Sequence, residues 1–295
     1  DHPRFSPDGT KLAFVSNRSG TNQIWLLHTQ GGEARQLTSF KHGATNPEWS
    51  KDGRSLFFTA SLEENDDLHE QRELTKEERE LAKKALEKQP FFVNRLKYKS
   101  DAHGFHLHHR NNHIIPYDMT TGTYTKLTTA DRDHMFQDSS PDGKYILLTA
   151  NLNETADRDQ TNDLFLLDLK TKELTKLTDG KYRITHARFS NNGQKIAWLG
   201  HDFQYKMATL QKLYIYDLQN HENKCLSEHI DMHLGLAFAA DMRMGESEIG
   251  PIWSQDEQKI YVVGMSHGAS GLYEIDLQGH LQPIHQQHEH LFGFS

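Results

Sequence analysis

Dense apolar runs of six residues recur along the chain, each framed by polar turns. They read KLAFVS from Lys11, SLFFTA from Ser55, YILLTA from Tyr145, KIAWLG from Lys195 and KIYVVG from Lys259. Runs so short and so continuously apolar predict strands of a sheet buried on both faces. Ahead of each stands a short segment, RFS, EWS, DSS, RFS or IWS, then a turn rich in Asp, Asn and Gly. Asp-Gly and Asn-Gly predict hairpin turns, because these residue types tolerate positive φ. Behind each run lies a third segment: QIWLLHT, HIIPYDM, DLFLLDL, KLYIYDL and GLYEIDL. Asp fills one place in four of them (Asp118, Asp168, Asp217, Asp276), and His28 fills it in the first. An amphipathic fourth segment closes each unit: RQLT, TKLT, TKLT, KCLS and QPIH.

Four antiparallel strands per unit, five times over, with apolar runs throughout, predict an all-β fold. The architecture that buries both faces of such sheets is a β-propeller of four-stranded blades. A β-sandwich is the competing all-β answer, but sandwiches do not repeat a sequence unit in this way. The repeats divide a single propeller domain over 1–295 into blades at about 1–45, 46–130, 136–180, 186–229 and 250–290, with 291–295 starting another. Pro116 falls inside a third strand, where it lacks a ladder donor, so a bulge or strand end is expected there.

Spacing between repeats is uneven. An insertion spans 61–112, and further long connections cover 151–162, 201–211 and 229–250. The first three join second to third strands, and the last is expected between blades. In an up-and-down blade both kinds emerge on one face, which is the expected working face. The large insertion predicts one helix over 75–89, with Thr75 as N-cap, Glu78 at N3 and Pro90 after it. Leu81, Ala85 and Leu86 give it a thin apolar stripe, enough to lie on a surface.

Composition narrows the function. The net charge is -8, from 41 acidic and 33 basic residues, which argues against a nucleic-acid partner. Mean hydropathy is -0.78, and no apolar run reaches the ~20 residues of a membrane span, so no membrane partner is expected. One cysteine, Cys225, excludes an internal disulfide and fits a reducing, cytoplasmic compartment. The chain lacks an initiator Met and its repeats are cut at both ends, as expected of a piece of a longer protein; a leader could precede it. Blade faces left uncovered at such cuts would be apolar and prone to self-association.

Candidate chemistry is sparse. GMSHG, Gly264–Gly268, matches the G-x-S-x-G nucleophile elbow, which needs a helix after the serine. ASGLYEIDL follows instead and aligns with the third strands, so Ser266 is expected to be a loop residue. Histidines crowd at His103, His106, His108, His109 and His113, and at His280, His285, His288 and His290. Neither group has zinc-ligand spacing, so both read as polar loop residues. EENDD and ADRD lack the ordered ligands of a calcium loop. No catalytic residue, metal or cofactor is therefore assigned. Arg4, Glu48, Asp138 and Arg188, with Ile252 in the fifth unit, precede the aromatic place of the innermost strand. Charges of both signs there either line a central channel and pair across blades, or cap turns at its mouth.

The WSPDG-like units with xLT ends resemble PD40/TolB-type propellers, a WD40-like repeat. RLKYKSDAHGF from Arg95, LLTANLNETADRD, KYRITHARFSNNGQKIAWLGHDFQYKMATL and HIDMHLGLAFAADMRMGESEIGPIWS, in that order, resemble the N-terminal propeller of acylaminoacyl peptidases in the prolyl oligopeptidase family. The resemblance covers essentially the whole chain. It implies an incomplete portion of a seven-bladed propeller, from about the second blade to the start of the seventh. It also implies a C-terminal α/β-hydrolase domain beyond Ser295 that carries the Ser, Asp and His. The chain would then be a substrate-gating filter that admits short or N-acylated peptides to a serine hydrolase. A TolB-like platform for protein binding, with no enzyme attached, is the alternative.

Overall fold

The structure is a computed structural model. It describes residues 1–295 except 65, 69–71, 73, 89, 91–92, 94–95, 101–103, 106–109, 130, 238–249, 287–290, 292–293 and 295. The described residues form an all-β fold of antiparallel propeller blades with one α-helix.

Blade 1 pairs Arg4–Phe5, Lys11–Ser16, Gln23–His28 and Arg35–Gln36 in chain order. Blade 3 does the same with His134–Ser139, Tyr145–Ala150, Asp163–Asp168 and Leu174–Lys176. Blade 4 uses Arg183–Phe189, Lys195–His201, Lys212–Asp217 and Glu222–Cys225. Blade 2 has three strands, Ala44–Trp49, Ser55–Glu63 and Arg110–Asp118, and its fourth segment is reduced to a Tyr117–Tyr124 bridge.

Pro116 stands opposite Phe57 in an unbroken register that runs on to Asp118, so neither the bulge nor the strand end expected there is found. Its carbonyl accepts the Thr125 N–H at 3.1 Å. The missing donor therefore points to the fourth segment, the one side of this strand that forms no full ladder, and the proline costs little there.

The repeated motifs do identifiable work. In each turn a buried serine hydroxyl donates to the Asp or Asn two residues on and accepts the N–H five residues on. Ser6 does this with Asp8 (2.6 Å) and Lys11 (2.9 Å), and Ser190 with Asn192 (2.8 Å) and Lys195 (3.1 Å). Ser50, Ser140 and Ser254 repeat it. The Asp is thus an acceptor in the turn. Only the next residue takes positive φ: Gly9 (68°), Gly53 (70°), Gly143 (69°), Gly193 (72°) and, against its Cβ, Glu257 (58°). The Ser6 hydroxyl, with Thr10, holds the Asp8 carboxyl down to about 2. Ser190→Ala should cost about 1–2 kcal/mol, read as a shift in the denaturation midpoint.

Asp118, Asp168, Asp217 and Asp276 end the third strands and accept the N–H groups two and three or four residues on. The hydroxyls of the LT or LS marker accept the N–H of the second third-strand residue, as Thr38 does for Ile24, Thr178 for Leu164 and Ser227 for Leu213.

The chain divides into two compact units, Asp1–Phe136 with Asn151–Asp159, and Gln137–Ala150 with Gln160–Ser295. In the first, Val15 and Ile24 of blade 1 pack on Leu56, Phe58 and Ile115 of blade 2. In the second, Ile196, Trp198 and Tyr214 of blade 4 face Leu147 and Leu164 of blade 3. Ala197, Leu199 and Leu213, on the alternate positions, face Trp253, Ile260 and Val262 of blade 5. Blade 4 is therefore apolar on both sides, as period-2 alternation within a continuous apolar run requires.

The connection expected between blades 4 and 5 enters the sheet itself. His233–Leu234 and Ile252–Trp253 both pair with Lys259–Ser266, which continues into Ala269–Asp276 and Leu281–His285. Blade 4 has a bulge at the matching place, between Ile184 and His186. The insertion thus opens the first strand of blade 5 where its neighbour carries one unpaired residue.

Helix α1, Lys76–Glu87, begins as expected. Thr75 Oγ1 accepts the Glu78 N–H at 3.2 Å, and Glu78 accepts the Thr75 N–H at 2.8 Å. Leu81 and Ala85 of its stripe are exposed, Leu81 by 68%. Arg79 instead lays its guanidinium against Gly20 of blade 1, where a Cβ would come within 2.4 Å. Beyond the helix, Lys99–Ser100 and Gly104–Phe105 form a two-stranded ribbon.

Candidate functional site: charged first strands and paired loops

The charged positions of the first strands meet in twos. In the first unit Arg4 Nε donates to Glu48 Oε1 at 2.8 Å, joining blades 1 and 2. In the second unit Arg188 Nη1 lies 3.7 Å from Asp138 Oδ1, joining blades 4 and 3. Asp138 is 5% exposed, and its Oδ2 accepts the Phe189 N–H at 3.0 Å. Ile252, at the same place in blade 5, has no charge to offer.

A second device accompanies each pair. Trp49 donates its indole N–H to the Arg4 carbonyl at 3.0 Å, and Trp253 donates to the Arg188 carbonyl at 3.4 Å. The aromatic of one blade is thereby tied to the charged residue of the blade before it.

The long connections also meet in twos. In the first unit the Asp157 carboxylate accepts the Leu96 and Lys97 N–H groups, and Lys97 Nζ donates to the Ala156 carbonyl at 2.6 Å. In the second unit Gln211 Nε2 donates to the Leu234 carbonyl at 2.7 Å.

Each unit carries a cleft. The first is about 390 Å³ and polar, between the Asn17–Asn22 loop and the top of blade 2. The second is about 560 Å³ and is walled by Tyr182, Tyr205 and Tyr214 with Asp202, Glu228 and Asp231.

Ser266 ends a strand, and the next strand starts at Ala269. His267 (φ 51°) and Gly268 (φ 79°) form the hairpin turn. The Ser266 hydroxyl lies 2.7 Å from His267 Nδ1, but no helix follows to place an oxyanion donor. His103, His106, His108, His109, His288 and His290 lie outside the described residues. Among the described residues no three His, Cys, Asp or Glu converge as metal ligands, and no helix is long and apolar enough to cross a membrane.

Against known proteins, residues 77–287 match the acylaminoacyl-peptidase N-terminal β-propeller family. The chain belongs to that family. Residues 1–94 match the PD40 TolB β-propeller family. The uncharacterized peptidase YuxL of Bacillus subtilis is 35% identical over 294 residues, covering 99% of this chain and 43% of that protein. The uncomplexed acylaminoacyl peptidase of Pyrococcus horikoshii superposes with a TM-score of 0.66 at 20% identity, covering 97% of this chain and 39% of that one. The β-propeller domain of the Trilobed protease of Pyrococcus furiosus gives 0.60 at 17% identity, covering 100% and 73%. The chain thus spans less than half the length of YuxL and of the Pyrococcus horikoshii enzyme.

Within this acylaminoacyl-peptidase propeller, Arg4 and Glu48 are brought together, as are Asp138 and Arg188. The indole contacts of Trp49 and Trp253 were not legible in the sequence, although both are the tryptophan of an xWS segment. Thr59 was also missed, and a signal existed. It occupies a slot where three other repeats carry Val15, Leu199 and Val263 and the fourth carries Thr149.

Several histidines are held neutral. Burial, with Lys126 and His134 nearby, pushes His113 down to about 4, and its ring nitrogen sits 3.0 Å from the Thr128 hydroxyl. His134, which stacks on it at 5.7 Å, is lowered by burial, and burial with Arg188 takes His186 to about 4. The unfolded chain takes up these protons near pH 6.5 and the folded chain does not. Stability is therefore complete above pH 6.5 and lost as pH falls toward 4. Denaturation midpoints at pH 7 and pH 5 should differ in that direction, and His113→Gln should flatten the difference.

Proposed function

We propose that this chain is the non-catalytic, substrate-gating propeller of a cytoplasmic serine peptidase acting on short or N-acylated peptides. The match of residues 77–287 to the acylaminoacyl-peptidase propeller carries this reading. The peptidase relative YuxL supports it along the full chain. In the proposal the peptide-cutting serine belongs to a C-terminal α/β-hydrolase domain of the same parent, working by an acyl-enzyme route. The charges at Arg4, Glu48, Asp138 and Arg188 line the propeller channel and bias which peptides pass. Peptide is the partner, with no cofactor and no nucleic acid.

The parent protein and this chain should be assayed side by side on an N-acetyl-alanine chromogenic substrate and on a long unstructured polypeptide. The parent should cut the short substrate and spare the long one. This chain should cut neither, and Ser266→Ala in the parent should leave the rate unchanged. Arg4→Ala with Glu48→Ala in the parent should narrow the gap between short and long substrates. The PD40 match over residues 1–94 favours a second reading, a TolB-like binding platform without an enzyme. A parent that hydrolyses neither substrate would favour the platform.

A further inference from the structure

We propose that the polar cleft of the first unit binds a short stretch of uncharged peptide main chain, with the Thr59 hydroxyl among its hydrogen-bonding groups. The choice of peptide rests on the function proposed above; the site rests on the geometry.

The strand Ser55–Glu63 splits its side chains between two faces. Leu56, Phe58, Ala60 and Leu62 join the apolar core of the unit. Thr59 and Ser61 lie on the other face. Thr45 stands directly opposite Thr59, and Asn112 directly opposite Ser61, so all four share that face at one end of blade 2. Asn17 and Asn22, from the loop of blade 1, complete a cleft of about 390 Å³, within the usual range of small-ligand sites.

Thr59 is the informative member. It is 4% exposed, and its buried hydroxyl has no hydrogen-bond partner. A buried hydroxyl left unmade is costly, whereas valine in the same slot would leave nothing unpaired. Valine or leucine fills that slot at Val15, Leu199 and Val263, and the threonine that fills it in blade 3, Thr149, accepts a hydrogen bond from Gln137 Nε2 at 3.2 Å, so Thr59 alone of the five is an unpaired hydroxyl there. Among the described residues, no hydrogen bond engages the side chains of Asn17, Asn22, Thr45, Ser61 or Asn112 either. The cleft thus gathers amides and hydroxyls with capacity to spare.

The lining selects the chemistry. It carries no carboxylate, lysine or arginine. His42 is its one titratable group, and its ring nitrogens already meet Glu63 Oε1 (3.0 Å) and Arg110 Nη1 (2.8 Å). Burial and the Arg110 charge lower its pKa, so it is neutral at pH 7. An ionic ligand finds no counter-charge among these side chains. A sugar finds no phenyl, phenol or indole platform. Peptide main chain offers alternating N–H and C=O groups, which match amide and hydroxyl side chains of both polarities.

The test is titration of this chain with N-acetyl-trialanine N-methylamide, followed by amide chemical shifts. Saturable shifts at Thr45, Thr59, Ser61 and Asn112 are expected. Thr59→Val with Ser61→Ala should weaken binding about 10-fold, which is about 1.4 kcal/mol, with circular dichroism unchanged. Thr59→Val alone keeps the shape and removes only the hydroxyl, so it guards against a folding artefact. No binding, binding that ignores both variants, or binding of maltotriose but not of the peptide would overturn the site. A parent without peptidase activity, alongside peptide binding that depends on Thr59, would remove the functional reading and leave the site standing.

Discussion

Replacing Trp198 with alanine is expected to destabilise the second unit by about 3–5 kcal/mol, the range for deleting a buried aromatic. The side chain is fully buried. Its ring stacks on Tyr214 at 3.9 Å and 6°, and meets the edge of Tyr182 at 5.0 Å. It also belongs to the core shared with Leu147 and Leu164. A tryptophan of this kind buries about 150–250 Å², worth roughly 4–6 kcal/mol at ~25 cal/mol per Å². Incomplete collapse of the cavity adds to that, and residual burial in the unfolded chain subtracts from it. The indole N–H bond to Asn223 Oδ1, 3.0 Å, contributes less, because Asn223 is exposed and water can replace the donor. Trp198→Phe should therefore cost clearly less than Trp198→Ala, since it keeps most of the stack and loses the N–H. Chemical denaturation followed by near-ultraviolet circular dichroism reports both. An alanine variant within about 1 kcal/mol of the parent would mean that this aromatic cluster is not a core.

The contrast between what the residues announced and what they concealed has a physical basis. The Ser, Asp and Gly of each turn, the Asp ending each third strand and the LT marker act within one hairpin, so their spacing is fixed by local geometry. The capping box at Thr75 and Glu78 is local in the same sense. The opened first strand of blade 5 is not. His233–Leu234 is too short to carry a periodicity, and only its pairing with Gly264 and Met265 shows where it belongs. Pro116 is similar, since its cost depends on which neighbour its nitrogen faces. The stripe of α1 has the right period for burial, yet Leu81 is exposed and Arg79 makes the contact with blade 1. Thr59 sits in the apolar run SLFFTA, and its unsatisfied hydroxyl emerges only once register assigns it a face. The inter-blade pairs fall between these cases. The sequence marked the positions as charged, and the partners needed the fold.

Asp138→Ala should be the most damaging change among the charged first-strand residues, at about 3–5 kcal/mol, as for removing one member of a buried ion pair. Two backbone N–H groups and a guanidinium lean on this carboxylate. Its Oδ1 accepts the Ser139 N–H at 2.9 Å, its Oδ2 accepts the Phe189 N–H at 3.0 Å, and Arg188 stands 3.7 Å away. Alanine strands two buried N–H groups and takes the carboxylate from a guanidinium that is only partly wetted. Asp138→Asn keeps an acceptor and loses the charge, so it should cost less than alanine. Arg188→Ala should cost least of the three, because the carboxylate keeps both N–H donors. The double variant should lose less than the sum of the single losses, since the residues share one network. Arg4→Ala tests the rule from the other side. Its bond to Glu48 is shorter, at 2.8 Å, yet the two side chains are 27% and 23% exposed, against 8% for Asp138. Distance alone would rank the Arg4 pair as the stronger. Water reaches both its partners, however, and a wetted pair is worth about 0–1 kcal/mol. If Arg4→Ala proves as costly as Asp138→Ala, burial is not what sets the strength of these contacts.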